Sequence, residues 1–90
     1  MAYATTNPPK LIAQGITGGH IWKYDSADAL TLVRVSGYFT DGYDLGMRAG
    51  DMVIVTDTDT AATSLTFVNA ATAAAVDLAD GTALTATDTD

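Results

Sequence analysis

The pattern of apolar and polar positions predicts three strands in the middle of the chain. Residues 20–24, HIWKY, and residues 64–69, SLTFVN, both alternate between two sets of side chains. A period of two is typical of a β-strand whose two faces meet different surroundings. Residues 52–56, MVIVT, form a nearly continuous apolar run, which is typical of a central strand buried on both faces.

Turn-forming residues separate these strands and follow them. An Asp-Gly pair predicts a turn within residues 40–44, and residues 57–63 predict the loop after the central strand. Residues 76–78 and 82–87 predict a last hairpin around a second Asp-Gly pair. Residues 70–75 are so rich in alanine that a strand and a helix start both stay open.

Residues 26–37 carry the signals of a short helix. Ser26 is a typical N-cap, Asp28 favours the positive end of a helix dipole, and Gly37 stands where a left-handed residue would end the helix. The β-branched residues within 31–35 also fit a strand. The end signals on both sides favour the helix.

Residues 1–19 predict an extended N-terminal arm, and residues 20–90 predict a single small β domain. Residues 7–9, Asn-Pro-Pro, force an extended path, and Leu11 and Ile12 form a short apolar piece after it. Such an arm packs either on its own domain or on a neighbouring subunit. We favour the neighbour, because the core of so small a domain is limited. The predicted fold is therefore mainly β, a small antiparallel β-barrel or sandwich with one short helix and this arm.

Composition narrows the classes of function. The chain has 90 residues, no cysteine and a net charge of −7, and all 11 of its acidic residues are Asp. Asp and Thr suit tight turns and strand surfaces. The acidity argues against direct nucleic-acid binding, and no apolar run is long enough for a membrane span. The first residues carry no basic region followed by an apolar core, so no signal peptide is expected.

The sequence contains few side chains suited to catalysis or metal binding. His20 is the one imidazole, it adjoins a glycine pair, and we expect an exposed loop histidine there. Asp57 and Asp59, with Asp51 or Asp88, are the candidates for a weak calcium site, but they lack the glycine and distal Glu of an EF-hand loop. We therefore predict no catalytic residue, no metal site and no cofactor.

Residues 26–59 resemble a group of short proteins encoded by tailed bacteriophages, particularly marine ones. The shared elements are a helix start, a Gly-Tyr-Phe run, a variable turn, and Leu-x-x-x-x-Gly-Asp leading into a Val/Ile strand. In this chain they are Ser26-Ala27-Asp28, Gly37-Tyr38-Phe39, Leu45-Gly46-Met47-Arg48-Ala49-Gly50-Asp51 and Met52-Val53-Ile54-Val55. The Asn-Pro-Pro arm and residues 78–85 also resemble that group, so the likeness extends over most of the chain.

This resemblance implies a head decoration, or cement, protein on the outer surface of the virion. Its expected partners are the major capsid protein and further copies of itself, with a homotrimer as the usual arrangement, and it would stabilise the shell mechanically. The expected capsid or oligomer contacts are Tyr3, Pro8, Pro9, Leu11 and Ile12 of the arm, together with Trp22 and Arg48.

The alternative is a head-fibre or tail-associated module that binds a receptor or a glycan. Trp22, Tyr24, Tyr38 and Tyr43 would then form an aromatic platform. The number of copies per particle separates the two functions, because a cement protein is present in hundreds of copies and a fibre module in few.

Overall fold

A computed structural model of the chain describes residues 3–15 and 19–84. Within these residues the chain forms a sheet of six strands with two short helices between its second and third strands. The elements are β1 (Lys10–Gln14), β2 (His20–Ser26), α1 (Leu30–Val33), α2 (Gly42–Leu45), β3 (Met52–Asp57), β4 (Ala62–Ala71), β5 (Val76–Leu78) and β6 (Thr82–Ala83).

The strands run in the order β1-β2-β3-β4-β5, and β6 also pairs with β4. Four of the five pairs are antiparallel, whereas β2 and β3 are parallel because the chain crosses over between them through residues 27–51. The prediction of a mainly β fold is confirmed. The expectation of a purely antiparallel sheet is wrong, and this open sheet is not closed into a barrel.

The predicted last hairpin is also wrong, because β5 and β6 do not pair with each other. Both lie along β4, where Leu78 pairs with Val68 and Thr82 pairs with Leu65. Between them the Thr66 hydroxyl donates to the Ala79 carbonyl at 2.7 Å, which holds the connecting residues against β4. The ten residues of β4 offer enough length for two short partners. Residues 85–87 of the predicted hairpin lie outside the described residues.

Of the helix predicted within residues 26–37, only the single turn of α1 is helical. The Ser26 hydroxyl accepts from the Asp28 backbone N–H at 3.1 Å, so it closes a local turn rather than capping the helix. Asp28 is itself buried and accepts a hydrogen bond from the Tyr38 hydroxyl. Gly37 does adopt the predicted left-handed backbone, with φ of +83°. Of the turn predicted at residues 40–44, residues 40–41 do form a turn, whereas residues 42–44 belong to the short helix α2.

The hydrophobic core lies on one face of the sheet, which we call the inner face. The crossover of residues 27–51 packs on this face with Val33, Tyr38, Phe39 and Met47. Gly42 allows close contact there, since a Cβ at this position would lie 3.0 Å from a Val76 methyl group. The inner-face core residues are Trp22, Tyr24, Val53, Val55, Val68, Val76 and Leu78.

The first described residues join this core. The ring of Tyr3 lies 5.3 Å from the ring of Phe39 and 5.6 Å from that of Tyr38, and its hydroxyl donates to Asp41 at 2.5 Å. Pro9 is buried, and the next residues form the edge strand β1. Tyr3 and Pro9 therefore pack on their own domain, whereas Leu11 and Ile12 stay exposed.

Candidate interaction surface

The opposite face of the sheet, which we call the outer face, carries large apolar side chains that the described chain leaves uncovered. Register places Ile21, Met52 and Phe67 side by side in one row, and Ile54 and Leu65 in the next. Met52 and Phe67 are 41% and 46% exposed. Apolar side chains gathered on one face, unlike single exposed ones, mark a site of interaction.

The expectation that residues 52–56 are buried on both faces is therefore wrong for the single chain. Val53 and Val55 point into the core, while Met52 is exposed and Ile54 is half-buried. The physical reason is that the crossover covers only one side of the sheet. The apolar run was still informative, because it shows that this strand has side chains suited to burial on both sides.

Polar side chains bound the outer face beyond these rows. The Lys23 ammonium pairs with the Asp25 carboxylate and donates to the Thr56 hydroxyl at 2.9 Å. The Thr56 hydroxyl in turn lies 3.2 Å from that of Thr63 on β4. These contacts hold Lys23, which is in register with Ile54, while Lys10 of β1 is in register with Lys23 at the edge of the same row.

A cleft of about 480 Å³ opens beside Met52 and Ile21, at the end of the outer face near β1. Its wall is partly apolar and partly backbone, so it suits an apolar side chain better than a charged group. The lining residues are Ala13, Gln14, Gly15, Gly19, His20, Ile21, Gly50 and Met52.

A buried carboxylate contacts His20, one of the residues that line this cleft. Asp51 is 3% exposed, and its Oδ2 accepts from the Trp22 indole N–H at 3.1 Å and from the Arg48 backbone N–H at 3.0 Å. The same oxygen lies 3.3 Å from Nδ1 of His20. Hydrogen bonds of this kind offset the cost of burying a charged group. Asp51 therefore ties the starts of β2 and β3 together.

This network corrects the expectation for His20. The imidazole is half-buried at the first position of β2 and contacts Asp51, so it is not an exposed loop side chain. The indole of Trp22 adjoins it, with 6.2 Å between ring centroids. Sequence reasoning missed the link because His20 and Trp22 lie far from Asp51 along the chain.

The edge strand β1 is a second exposed feature. All five of its residues are exposed, including Leu11 at 44% and Ile12 at 56%. A register shift between Leu11 and Ala13 marks a β-bulge. Only one side of β1 pairs with a neighbouring strand, so its other side presents backbone groups for pairing with a further strand.

The remaining predicted contact residues fall into two groups. Trp22, like Tyr3 and Pro9, belongs to the interior, and Pro8 is half-buried. Arg48 is exposed, but its guanidinium lies 3.7 Å from the centroid of the Tyr43 ring and donates to the carbonyls of Tyr43 and Met47. Among the described residues, this ring and these carbonyls hold the Arg48 side chain in place.

The aromatic platform of the receptor-binding alternative does not form. Trp22, Tyr24 and Tyr38 are buried, and only Tyr43 of the four rings is half-exposed. The Tyr24 and Tyr38 hydroxyls lie 2.8 Å apart, and the Tyr38 hydroxyl donates to Asp28 at 2.5 Å. Burial, followed by the hydrogen bond to Asp28, raises the pKa of Tyr38 well above its usual value. Burial and Asp41 raise the pKa of Tyr3 in the same way.

The predicted calcium candidates are not brought together within the described residues. No group of three or more metal-ligating side chains occurs in residues 3–15 and 19–84, and Asp88 lies outside them. Asp57 instead accepts from the Asp59 backbone N–H at 3.0 Å, which closes the turn after β3. Neither helix in this part of the chain has the length and apolar character needed to cross a membrane.

No protein-family model, curated protein or solved structure matches the chain.

Proposed function

We propose that this chain is a bacteriophage head decoration, or cement, protein, which binds the outer surface of the major capsid shell as an oligomer and stabilises it. The uncovered outer face supports this proposal most strongly. A chain that leaves two rows of apolar side chains on a sheet face has an architecture suited to burial by further subunits. The resemblance described above supplies the particular class, and the location would be the exterior of the virion.

The edge strand β1 is the best-suited contact with the shell. Its free backbone groups can extend a strand of a capsid subunit, and the exposed Leu11 and Ile12 can fill apolar depressions on that subunit. In the folded chain Tyr3 is half-buried and Pro9 is buried, so both are less available for this contact than the exposed residues of β1. The proposed arm contact is therefore concentrated in Leu11 and Ile12.

Shell stabilisation follows from mass action. A decoration protein that binds the mature shell better than its dissociated or immature form adds binding free energy to the mature state alone. No group in the decoration protein has to react. The acidic exterior, with a net charge of −7 for each chain, would keep decorated particles from associating.

The test uses heads of the phage that encodes this chain, stripped of the protein and then mixed with purified full-length chain. We expect saturable binding of hundreds of copies per head and a higher temperature of head disruption. Ile12→Asp should weaken binding at least tenfold, because it places a charge in the contact. Leu84→Asp, at an equally exposed apolar side chain, is the matched control and should bind like wild type.

Binding of only a few copies at the tail or at a single vertex would contradict the cement function and favour a fibre or tail module. Absence of any binding to the heads would contradict both. The homotrimer is likewise proposed from the resemblance, and image reconstruction of decorated heads would report how many chains form each decoration.

A further inference from the structure

On the outer face, the exposed ring of Phe67 and the cleft beside Ile21 lie at the same position along the strands. Ile21 of β2, Met52 of β3 and Phe67 of β4 form one row across three neighbouring strands. Phe67, on the β4 side of this row, is 46% exposed. The cleft of about 480 Å³ lies on the other side, next to Ile21 and Met52.

We propose that the outer face binds a second copy of this chain, with Phe67 of one copy packed on Ile21 and in the adjoining cleft of the other. A twofold rotation about an axis parallel to the strands and above β3 places β4 of one copy over β2 of the other. It keeps the level along the strands, so each Phe67 ring faces Ile21 and the adjoining cleft of the other copy. A threefold axis, with the three outer faces inclined to one another, instead passes the contact from each copy to the next, and both arrangements are closed.

The charge distribution confines a contact between two copies to the outer face. Each chain carries a net charge of −7, so most surfaces of two copies repel each other. The row of Ile21, Met52 and Phe67 holds no charge, and Lys23 in the next row is already paired with Asp25. The centre of the outer face is thus a place where two copies can meet without burying unpaired charge.

The size of the face is also adequate. Five strands at about 4.8 Å spacing and about six residues per strand give a face on the order of 24 Å by 20 Å. Its projected area is roughly 500 Å², and side-chain relief makes the accessible area larger, near the ~600 Å² per partner at the small end of specific interfaces. Phe67 in the cleft would supply the buried aromatic anchor that such small interfaces need.

The first experiment measures the mass of the full chain in solution by sedimentation equilibrium at concentrations up to roughly 100 µM, a range that detects weak complexes. We expect a closed oligomer of the 9.3 kDa chain, and we expect Phe67→Asp to shift the association constant at least a hundredfold toward the monomer. Val35→Asp is the matched control, because Val35 is 51% exposed but lies in the crossover on the other side of the sheet. A monomeric wild type, or an oligomer that Phe67→Asp leaves unchanged, would overturn the proposal.

Cysteine crosslinking provides a second test that does not depend on how well a charged variant folds. The chain has no native cysteine. Stacked sheets lie about 10 Å apart, which exceeds the ~7 Å limit for a disulfide, so the test uses a thiol-specific bifunctional reagent of about 10 Å span. An equal mixture of the Ile21→Cys and Phe67→Cys variants should be crosslinked into dimers, because the thiol of one variant then faces the thiol of the other. Each variant alone should be crosslinked less, and a mixture that is crosslinked no more than the two variants alone would refute the contact.

This inference deepens the proposed function and rests on it only for the biological use of the oligomer. The two proposals can be refuted separately. If the chain binds heads but shows neither association nor crosslinking, the outer-face contact is refuted and the cement function is not. If the chain crosslinks as expected but does not bind heads, the cement function is refuted and the outer-face contact is not.

Discussion

Neighbouring residues of β3 lie on opposite faces of the sheet, one covered by the crossover and the other exposed. Val53 and Val55 lie in a core closed by the crossover, whereas Met52 and Ile54 belong to the outer face, which no described part of the chain covers. The chemical character of the four side chains is nearly the same. The difference therefore comes from topology: the one segment long enough to cover the sheet, residues 27–51, packs on the inner face only. β3 has apolar side chains on both of its faces, but the fold covers only the inner face. The outer face is therefore the surface that we expect another chain to cover.

The largest effect should come from placing a charge on the inner face. We expect Val53→Asp to destabilise the chain by more than about 4 kcal/mol, because a carboxylate would be buried without a partner. Urea unfolding followed by circular dichroism measures this loss. Met52→Asp, one position away on the outer face, should keep the folded spectrum. Equal losses in both variants would contradict the one-sided core.

A smaller loss should follow from removal of the carboxylate that joins β2 to β3. Asp51→Ala leaves the buried Trp22 indole N–H without its acceptor, and we expect about 3 kcal/mol less free energy of unfolding in urea. Asp59→Ala, at an exposed carboxylate, should change it by no more than about 0.5 kcal/mol. If the two variants were equally stable, Asp51 would not be the link between these strands.

The buried tyrosine hydroxyls should make the inner face sensitive to alkaline pH. Burial raises the pKa of Tyr38 and of Tyr3. Above the ordinary tyrosine value of about 10, the unfolded chain releases these protons while the folded chain keeps them, so the free energy of unfolding must fall as pH rises. Below that value these two groups contribute their full stabilisation.

Urea titrations at roughly pH 9 and pH 11 measure this decrease, since they bracket the ordinary tyrosine pKa. Tyr38→Phe should lower the free energy of unfolding by about 1–2 kcal/mol at the lower pH, because Asp28 loses a buried donor. It should also make the decrease between the two pH values smaller than in wild type. A variant with the same decrease as wild type would show that Tyr38 does not carry the effect.

The smallest change in the stability of one chain should come from the outer face. Leu65→Thr keeps a residue suited to strands on a side that is already 36% exposed, so the free energy of unfolding of the monomer should change by no more than about 0.5 kcal/mol. Val68→Thr makes a comparable exchange on the inner face and buries a hydroxyl, for an expected loss of about 1–3 kcal/mol. Comparable losses would mean that the outer face is covered even in the monomer.

Sequence patterns located the strands of this fold better than their pairing. Residues 20–24, 52–56 and 64–69 all lie in strands, because alternation and apolar runs are local properties of the chain. Pairing depends on what each strand meets. Because β4 is long, β5 and β6 both pair with it and not with each other. Because the crossover returns the chain to the same end of the sheet, β2 is parallel to β3.

The same limit applies to the candidate surface. The two-sided apolar run of residues 52–56 did indicate that β3 has something to bury on each side. Which side stays open follows from the path of the crossover, which no local pattern reports. Tyr3 illustrates the converse, since an aromatic residue near the start of an extended segment gives no local sign that it completes a distant cluster with Tyr24, Tyr38 and Phe39.

The parallel pairing of β2 with β3 also sets the order in which the sheet can assemble. β3 and β4 are joined by a tight turn and can form a hairpin within microseconds, with little loop entropy to lose. Pairing of β2 with β3 must close the much longer loop of residues 27–51, so we expect this long-range step to be the slower one. Until then, both faces of the early hairpin remain open to solvent. At this stage of folding, either face of the hairpin could bind the apolar side chains of the crossover. The face on which the crossover packs becomes the interior of the domain.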